Sequence, residues 1–292
     1  MKFKIISFCL LFVAIFLSCK KEGPLDVGNA NILLLSTVTI DNQPSFEYLY
    51  NGANLVSEEK SKVDYTIHHY NDKNQLVTSD YYVNYNILSS DLQVFGTAMN
   101  ITEWVTPDNV NKGGTFKYEY NDNGQLIKTT FSRTSSGSSE YSEFSYDVNN
   151  RISIQTLYWE NNETGYIEYS YDAKGNLIKE ILYNVSATGV AELSTTTLYE
   201  FDNEQNPYKS FGGLMTPGIR TNRNNIIKET NMIYLNADKV ADKAQITQTS
   251  YTYNGTGYPI SKNGNTQYLY KMMPGSLQIN HYLDNNVYIA TN

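Results

Sequence analysis

A nine-residue pattern decides the fold, and its clearest copies are YEYNDNGQL at residues 118–126 and YSYDAKGNL at residues 169–177. Two aromatic residues separated by one position point to the same face of a strand, because side chains alternate along it. The Asn or Asp that follows can accept backbone N–H groups and start a turn. The Gly three positions later suits a left-handed backbone, and the Leu begins a second strand. Each copy therefore predicts a β-hairpin.

The pattern recurs along most of the chain. Related copies begin at Tyr48 (a shortened copy), His68, Phe144, Tyr199 and Tyr251. In the copies at Tyr199 and Tyr251, the position of the Leu is taken by Pro207 and Pro259. The second aromatic residue falls at positions 50, 70, 120, 146, 171, 201 and 253. These spacings cluster near 25 residues, apart from two intervals about twice as long, and such a period is typical of stacked supersecondary units.

Successive hairpins predict an all-β protein, in which an antiparallel meander forms a curved sheet or a barrel-like wrap. The composition agrees, since the chain has 26 Tyr, and Tyr is a strand-forming residue. Two stretches, about residues 84–115 and 208–248, interrupt the repeat. The second contains the loop signals Gly212-Gly213 and Thr216-Pro217-Gly218, followed by the turn-like residues 222–225.

These hairpins resemble the YD repeat of RHS-type proteins, whose units read aromatic-x-Tyr-Asp-x-x-Gly-x-Leu. The chain is more similar still to YD-like lipoproteins of Bacteroidetes, which include a family of unknown function with a porin-like β fold. The resemblance covers about residues 45–270. It implies a fold and no catalytic residues.

The N-terminus has the parts of a secretory signal. Lys2 and Lys4 precede an apolar run from Ile5 to Leu17, which is too short to span a bilayer as a helix. Residues 16–19, Phe-Leu-Ser-Cys, resemble a bacterial lipobox, which implies cleavage after Ser18 and acylation of Cys19. Several acyl chains on one Cys give stable membrane anchoring.

The predicted organisation is therefore a signal peptide at residues 1–18, a lipidated Cys and flexible tether at 19–30, and one repeat domain at 31–292. We expect an exported protein that its lipid holds on the outer membrane, at the periplasmic face or the cell surface. Removal of residues 1–18 takes two of 22 basic residues and none of 30 acidic ones, so the net charge changes from −8 to −10. An acidic body argues against a nucleic-acid partner, whose phosphates require a basic surface.

The sequence has no pattern of a metalloprotease, a nucleophile elbow or a phosphate loop, so no cofactor, metal site or catalytic residue is predicted. His68 and His69 are adjacent and should face opposite sides of a strand, with His68 in the place of a repeat aromatic. Glycosidases use a pair of carboxylates, and this chain has a series of them at Asp147, Asp172 and Asp202. Each stands at the turn position of the repeat, however, so we expect turn capping. We expect Glu58-Glu59 and the Asp202/Glu204 pair to be solvated.

The repeat tyrosines are expected mainly in the core, whereas Trp104 and Trp159 lie outside the motif. We therefore predict a ligand-binding patch at Trp104, Trp159 and Tyr158, because aromatic side chains with a polar tip suit binding surfaces. The functional hypothesis is a non-enzymatic binding module for glycans or envelope proteins. The alternatives are a structural envelope scaffold without a specific ligand, or a glycoside hydrolase that uses carboxylates.

Overall fold

A computed structural model describes residues 32–84, 104–137, 139–209, 211, 216–236 and 240–273. The predicted signal peptide, the lipidation site Cys19 and the tether lie outside the described residues. No helix long and apolar enough to cross a membrane occurs within them. They form the following strands: β1 (Ile32–Ile40), β2 (Gln43–Tyr50), β3 (Val56–Ser61), β4 (Asp64–Tyr70), β5 (Leu76–Val83), β6 (Lys112–Tyr120), β7 (Leu126–Arg133), β8 (Ser139–Tyr146), β9 (Ile152–Trp159), β10 (Asn162–Tyr171), β11 (Leu177–Val185), β12 (Ala191–Phe201), β13 (Ile226–Ile233), β14 (Lys243–Gln248), β15 (Tyr251–Tyr253), β16 (Pro259–Lys262) and β17 (Thr266–Met273).

All of these strands belong to one antiparallel sheet, so the predicted all-β meander is confirmed. Each strand from β1 to β13 pairs with the next, and β1 also pairs with β17, which continues through β16 to β15. The sheet is not closed. Its ladder is interrupted between β14 and β15, where only Thr249 and Ser250 separate the two strands in sequence.

The turn of the repeat is built as the sequence predicts. The Asn or Asp side chain accepts two backbone N–H groups, two and four residues further on, at residues 51, 71, 121, 147, 172 and 254. The residue three positions after it has a positive φ, for example 77° at Gly124 and 62° at Asn150. Asp147 and Asp172 therefore cap turns, as expected. The copy at Tyr48 is not shortened, because Asn51 closes a turn of the same length with Val56 as its return residue.

In four copies, the second aromatic residue of the repeat links the hairpin to the one before it. A register shift occurs at this residue in every copy, for example between Ser170 and Tyr171, and such a bulge leaves backbone groups outside the ladder. The tyrosine hydroxyl donates to the first carbonyl of the preceding return strand. The bonds run from Tyr70 to Val56 (2.7 Å), Tyr120 to Leu76 (2.9 Å), Tyr146 to Leu126 (2.8 Å) and Tyr171 to Ile152 (2.7 Å).

One copy of the turn carries a long insertion. Asp202 accepts the N–H of Glu204 in the usual way, but its second partner is the N–H of Asn225. Ile226 pairs with Phe201 and thus starts the return strand. The prediction that Pro207 occupies the Leu position is therefore wrong, because residues 205–224 are inserted within the turn. Pro259 does occupy that position, since it pairs with Tyr253.

The described residues of the insertion pack against one face of the sheet, which we call the inner face. Phe211 is fully buried there, with its ring 4.8 Å from that of Tyr48. The base of the insertion is held by buried asparagines, of which Asn176 donates to Asn224 and accepts the N–H of Arg223. A second apolar cluster lies on the inner face further along the sheet and contains Leu126, Phe144, Ile152, Tyr169 and Leu177.

The hydroxyl bond between hairpins can be tested at Tyr171. Tyr171→Phe keeps the ring but leaves the Ile152 carbonyl without this donor, so we expect the free energy of unfolding to fall by about 1–3 kcal/mol. Urea denaturation measures the change. The control is Tyr183→Phe, since the Tyr183 ring stacks on Tyr166 and its hydroxyl makes no hydrogen bond within the described residues. An equal loss in both variants would contradict the assigned role of the bond.

Candidate functional site: a pocket on the inner face

A pocket of about 440 Å³ lies on the inner face of β6 to β10. Two rows of facing residues form its floor. The first row crosses four strands through Phe116, Phe131, Glu140 and Trp159, which are opposite one another in the ladders. The second row, one pleat further along, crosses the same strands through Tyr118, Thr129, Ser142 and Leu157. Thr216 of the insertion borders the opening.

Aromatic rings form one wall of the pocket. Phe116 and Phe131 stack with ring centroids 4.4 Å apart and planes inclined by 27°. Gly114 makes room for this stack, because a methyl group at its Cβ position would overlap the Phe131 ring and the Ser132 carbonyl. Trp159 stands at the other end of the row and is 40% exposed. The pocket is thus bounded by large apolar surfaces at both ends of one row.

Polar groups line the middle of the floor and are held by neighbouring side chains. The buried Tyr169 hydroxyl donates to Gln155 Oε1 (2.7 Å), and Gln155 Nε2 donates to Ser142 Oγ (2.9 Å). Burial, and next the nearby carboxylate of Glu180, raise the pKa of Tyr169, so its hydroxyl remains a donor at neutral pH. With its acceptor role satisfied by Gln155, the Ser142 hydroxyl keeps a proton that it can donate elsewhere.

Glu140 is the only residue with a charged side chain among the described residues that line the pocket. The guanidinium of Arg133, on the adjacent strand β7, donates to Glu140 Oε1 through Nε (3.1 Å) and through Nη2. The second oxygen, Oε2, has no partner within the described residues. Glu140 therefore offers one carboxylate oxygen that a ligand hydroxyl can reach.

The predicted binding residues separate in space. Trp159 lines the pocket through its inner-face position. Tyr158 also borders the pocket, but its ring stacks on Tyr141 at 4.5 Å, and the two residues alternate to the outer face. Trp104 does not line the pocket; it precedes Val105, whose N–H donates to the Ser61 carbonyl on β3. Trp159 and Tyr158 thus border the pocket from opposite faces of β9, and Trp104 lies apart from both.

A second polar constellation is buried on the inner face. His68 Nε2 lies 3.0 Å from Glu59 Oε1, and His68 Nδ1 lies 2.8 Å from Ser79 Oγ. Arg220 of the insertion reaches both oxygens of Glu59, at 2.7 and 2.6 Å. Ser79 is only 1% exposed, so a substrate cannot approach its hydroxyl. The arrangement is a buried ion-pair network that anchors the insertion, and no group of three or more His, Cys, Asp or Glu residues suited to a metal occurs in the described ranges.

The structure corrects one expectation about these residues. Glu59 is not solvated, because its side chain is 16% exposed and paired with Arg220 and His68. Burial opposes its ionisation, but the hydrogen bond from His68 and the charge of Arg220 outweigh burial and lower the pKa of Glu59 to about 2. His68 takes the inner-face position of a repeat aromatic, and His69 faces the other way with Asp80 3.7 Å away, as predicted.

Sequence reasoning missed several residues that shape the site. Gly114, Glu140 and Ser142 stand in strand segments where nothing in the local sequence distinguishes them from surface residues. Arg220 lies in a stretch that reads as a loop. An arginine amid Gly, Pro and Asn is the one available signal that the loop carries a charge partner for the sheet.

No family model matches the chain, and no curated protein matches it. Among solved structures, a porin-like protein from Bacteroides uniformis ATCC 8492 is 15% identical over 82% of this chain and 95% of that chain, with a TM-score of 0.37. A protein of unknown function from Bacteroides fragilis NCTC 9343 is 14% identical over 62% of this chain and 91% of that chain, with a TM-score of 0.24. A TcdB2–TccC3 structure is 12% identical over 71% of this chain but 10% of that chain, with a TM-score of 0.29.

The ion pair of Glu59 predicts a specific dependence of stability on pH. The pKa of Glu59 is about 2 in the folded chain, below about 4.3 for an unfolded Glu. Its contribution to the free energy of unfolding is therefore present above about pH 5 and is lost as the pH falls towards 2. In Glu59→Gln, we expect a less stable protein at neutral pH and a flatter decline of Tm between about pH 5 and pH 2.

The matched control is Glu192→Gln, on the exposed start of β12, which should leave the Tm-versus-pH curve unchanged. Thermal unfolding across this pH range gives the comparison. A Glu59→Gln curve parallel to that of the unmodified protein would show that Glu59 does not carry the dependence.

Proposed function

We propose that the chain is an outer-membrane-anchored lipoprotein of the YD-repeat type that binds glycans through the inner-face pocket. The observation that carries this proposal is the pocket itself, with Trp159 facing a polar floor of Glu140 and Ser142. Ligand pockets combine apolar and aromatic walls with a few placed polar groups, and their volumes run from about 300 to 1,000 Å³. A sugar suits such walls because it has an apolar ring face and a rim of hydroxyls.

Binding without turnover agrees better with the pocket than hydrolysis does. Glycosidases generally use two carboxyl groups on opposite sides of the scissile bond, whereas Glu140 is the single carboxylate among the described lining residues. The turn carboxylates Asp147 and Asp172 accept backbone N–H groups at the rim of the sheet. Their role is to close turns, and they take no part in the proposed binding.

Membrane attachment is a separate part of the proposal, and it rests on the sequence. The basic start, the apolar run and Cys19 support export and lipidation. Incorporation of labelled palmitate, compared between the unmodified chain and Cys19→Ser, tests it. Labelling of both proteins, or of neither, would contradict attachment through Cys19.

Glycan binding can be tested at Trp159. The full-length protein, purified in a sugar-free detergent, is applied to a glycan array, and the best ligand is then titrated by calorimetry. Trp159→Ala should weaken binding about tenfold, equivalent to about 1.4 kcal/mol, because a stacking surface is lost. Trp104→Ala is the control, since Trp104 does not line the pocket.

Equal losses in the two variants would place the binding elsewhere. A blank array would overturn the glycan proposal and favour an envelope protein as partner, or a scaffold. Unfolding curves of both variants establish that each remains folded.

A further inference from the structure

The charges around the pocket set a limit on its ligand, provided that the pocket binds glycans as proposed. Among the described lining residues, only Glu140 is charged, and Arg133 already pairs with it. The pair carries no net charge. The described lining residues therefore offer no unpaired cation to an acidic group.

Binding of an acidic sugar in this pocket would be strongly unfavourable. Its carboxylate or sulfate would lose water on entry, and transfer of a charge without a partner is strongly unfavourable. It also has no proton to donate to Glu140 Oε2, and the chain as a whole has a net charge of −8. A neutral sugar avoids both penalties, because hydroxyls need only hydrogen-bond partners.

The pocket supplies such partners in fixed positions. Ser142 and Glu140 are alternate residues of β8, so they face the same side and lie about 7 Å apart along the strand. Ser142 has a hydroxyl proton to donate, because its oxygen already accepts from Gln155. Glu140 has a free Oε2 to accept, because Arg133 holds Oε1. The two groups thus match a ligand with hydroxyls at separate points of its rim.

We propose that the pocket selects neutral sugars over acidic ones, with the ring on Trp159 and with hydroxyls bound to Glu140 and Ser142. Glu140 is the specificity-determining residue, since its Oε2 can only accept a hydrogen bond, which a sugar hydroxyl can donate and a sugar carboxylate or sulfate cannot. Gln155 is a positioning residue, because it touches Ser142 and the buried Tyr169.

The experiment compares matched pairs of ligands. Neutral oligosaccharides of glucose, galactose, mannose and N-acetylhexosamines are each paired with a counterpart that carries one uronic acid or one sulfate. The full-length protein in sugar-free detergent is titrated with the best-binding neutral compound and with its acidic counterpart. The neutral member should bind at least tenfold more tightly.

Glu140→Gln keeps the size of the side chain and removes its charge. In this variant we expect the affinity for the neutral sugar to fall severalfold and the preference over the acidic sugar to decrease towards one. Glu143→Gln is the control, because Glu143 lies on the outer face of the same strand and pairs with Lys128 there. Its preference should be unchanged, and urea denaturation checks that both variants are folded.

The outcomes separate this inference from the proposed function. An acidic counterpart that binds the unmodified protein as tightly as the neutral sugar overturns the inference and leaves glycan binding intact. A preference that persists unchanged in Glu140→Gln overturns the role of Glu140. If neither member of any pair binds, the proposed function fails, and the inference fails with it.

Discussion

The sheet depends on one side-chain oxygen in each repeat hairpin, that of the Asn or Asp that starts the turn. Backbone N–H groups in a tight turn have no strand partner, and leaving them unpaired is costly. The Asp172 carboxylate accepts two of them, and Asn121 does the same in another copy. The adjoining tyrosine hydroxyl then bonds the preceding hairpin, as from Tyr171 to Ile152. The same short sequence thus closes its own hairpin and attaches it to its neighbour, which is why the repeat can extend over so many strands.

Side chains fill the space above the inner face more completely at β2 to β4 than at β6 to β9. The pocket lies in the less filled part. Residues 205–224, inserted in a single turn, place Phe211 and Arg220 against β2 to β4, where Glu59 receives the arginine. A buried charge of this kind requires its partner, because an unpaired carboxylate there would be strongly destabilising. Across β6 to β9 no comparable side chain of the described insertion fills the space, so Phe131 and Trp159 line an open pocket.

Prediction from the sequence succeeded where the signal was local and repeated. Turn residues at constant spacing indicated the hairpins, and the left-handed backbone at Gly124 and Asn150 follows from the residue types alone. The prediction failed where distant segments meet. Glu59 reads as an exposed residue of a polar strand, because its partner Arg220 lies 161 positions away. Counting along the repeat put Pro207 at the Leu position, because nothing in the local sequence shows that this turn contains an insertion.

The sequence by itself determined the β-hairpin, its turn chemistry, the direction of successive strands and the presence of an off-motif tryptophan at position 159. These depend on interactions within a few residues, which a short segment specifies. Only the tertiary structure decided that Trp159 shares a row with Glu140 and Phe131, and that Trp104 lies elsewhere. Strand register determines which residues share a row, because a shift of one residue moves every side chain to the opposite face. Register in turn depends on the bulges and on the packing of the whole sheet.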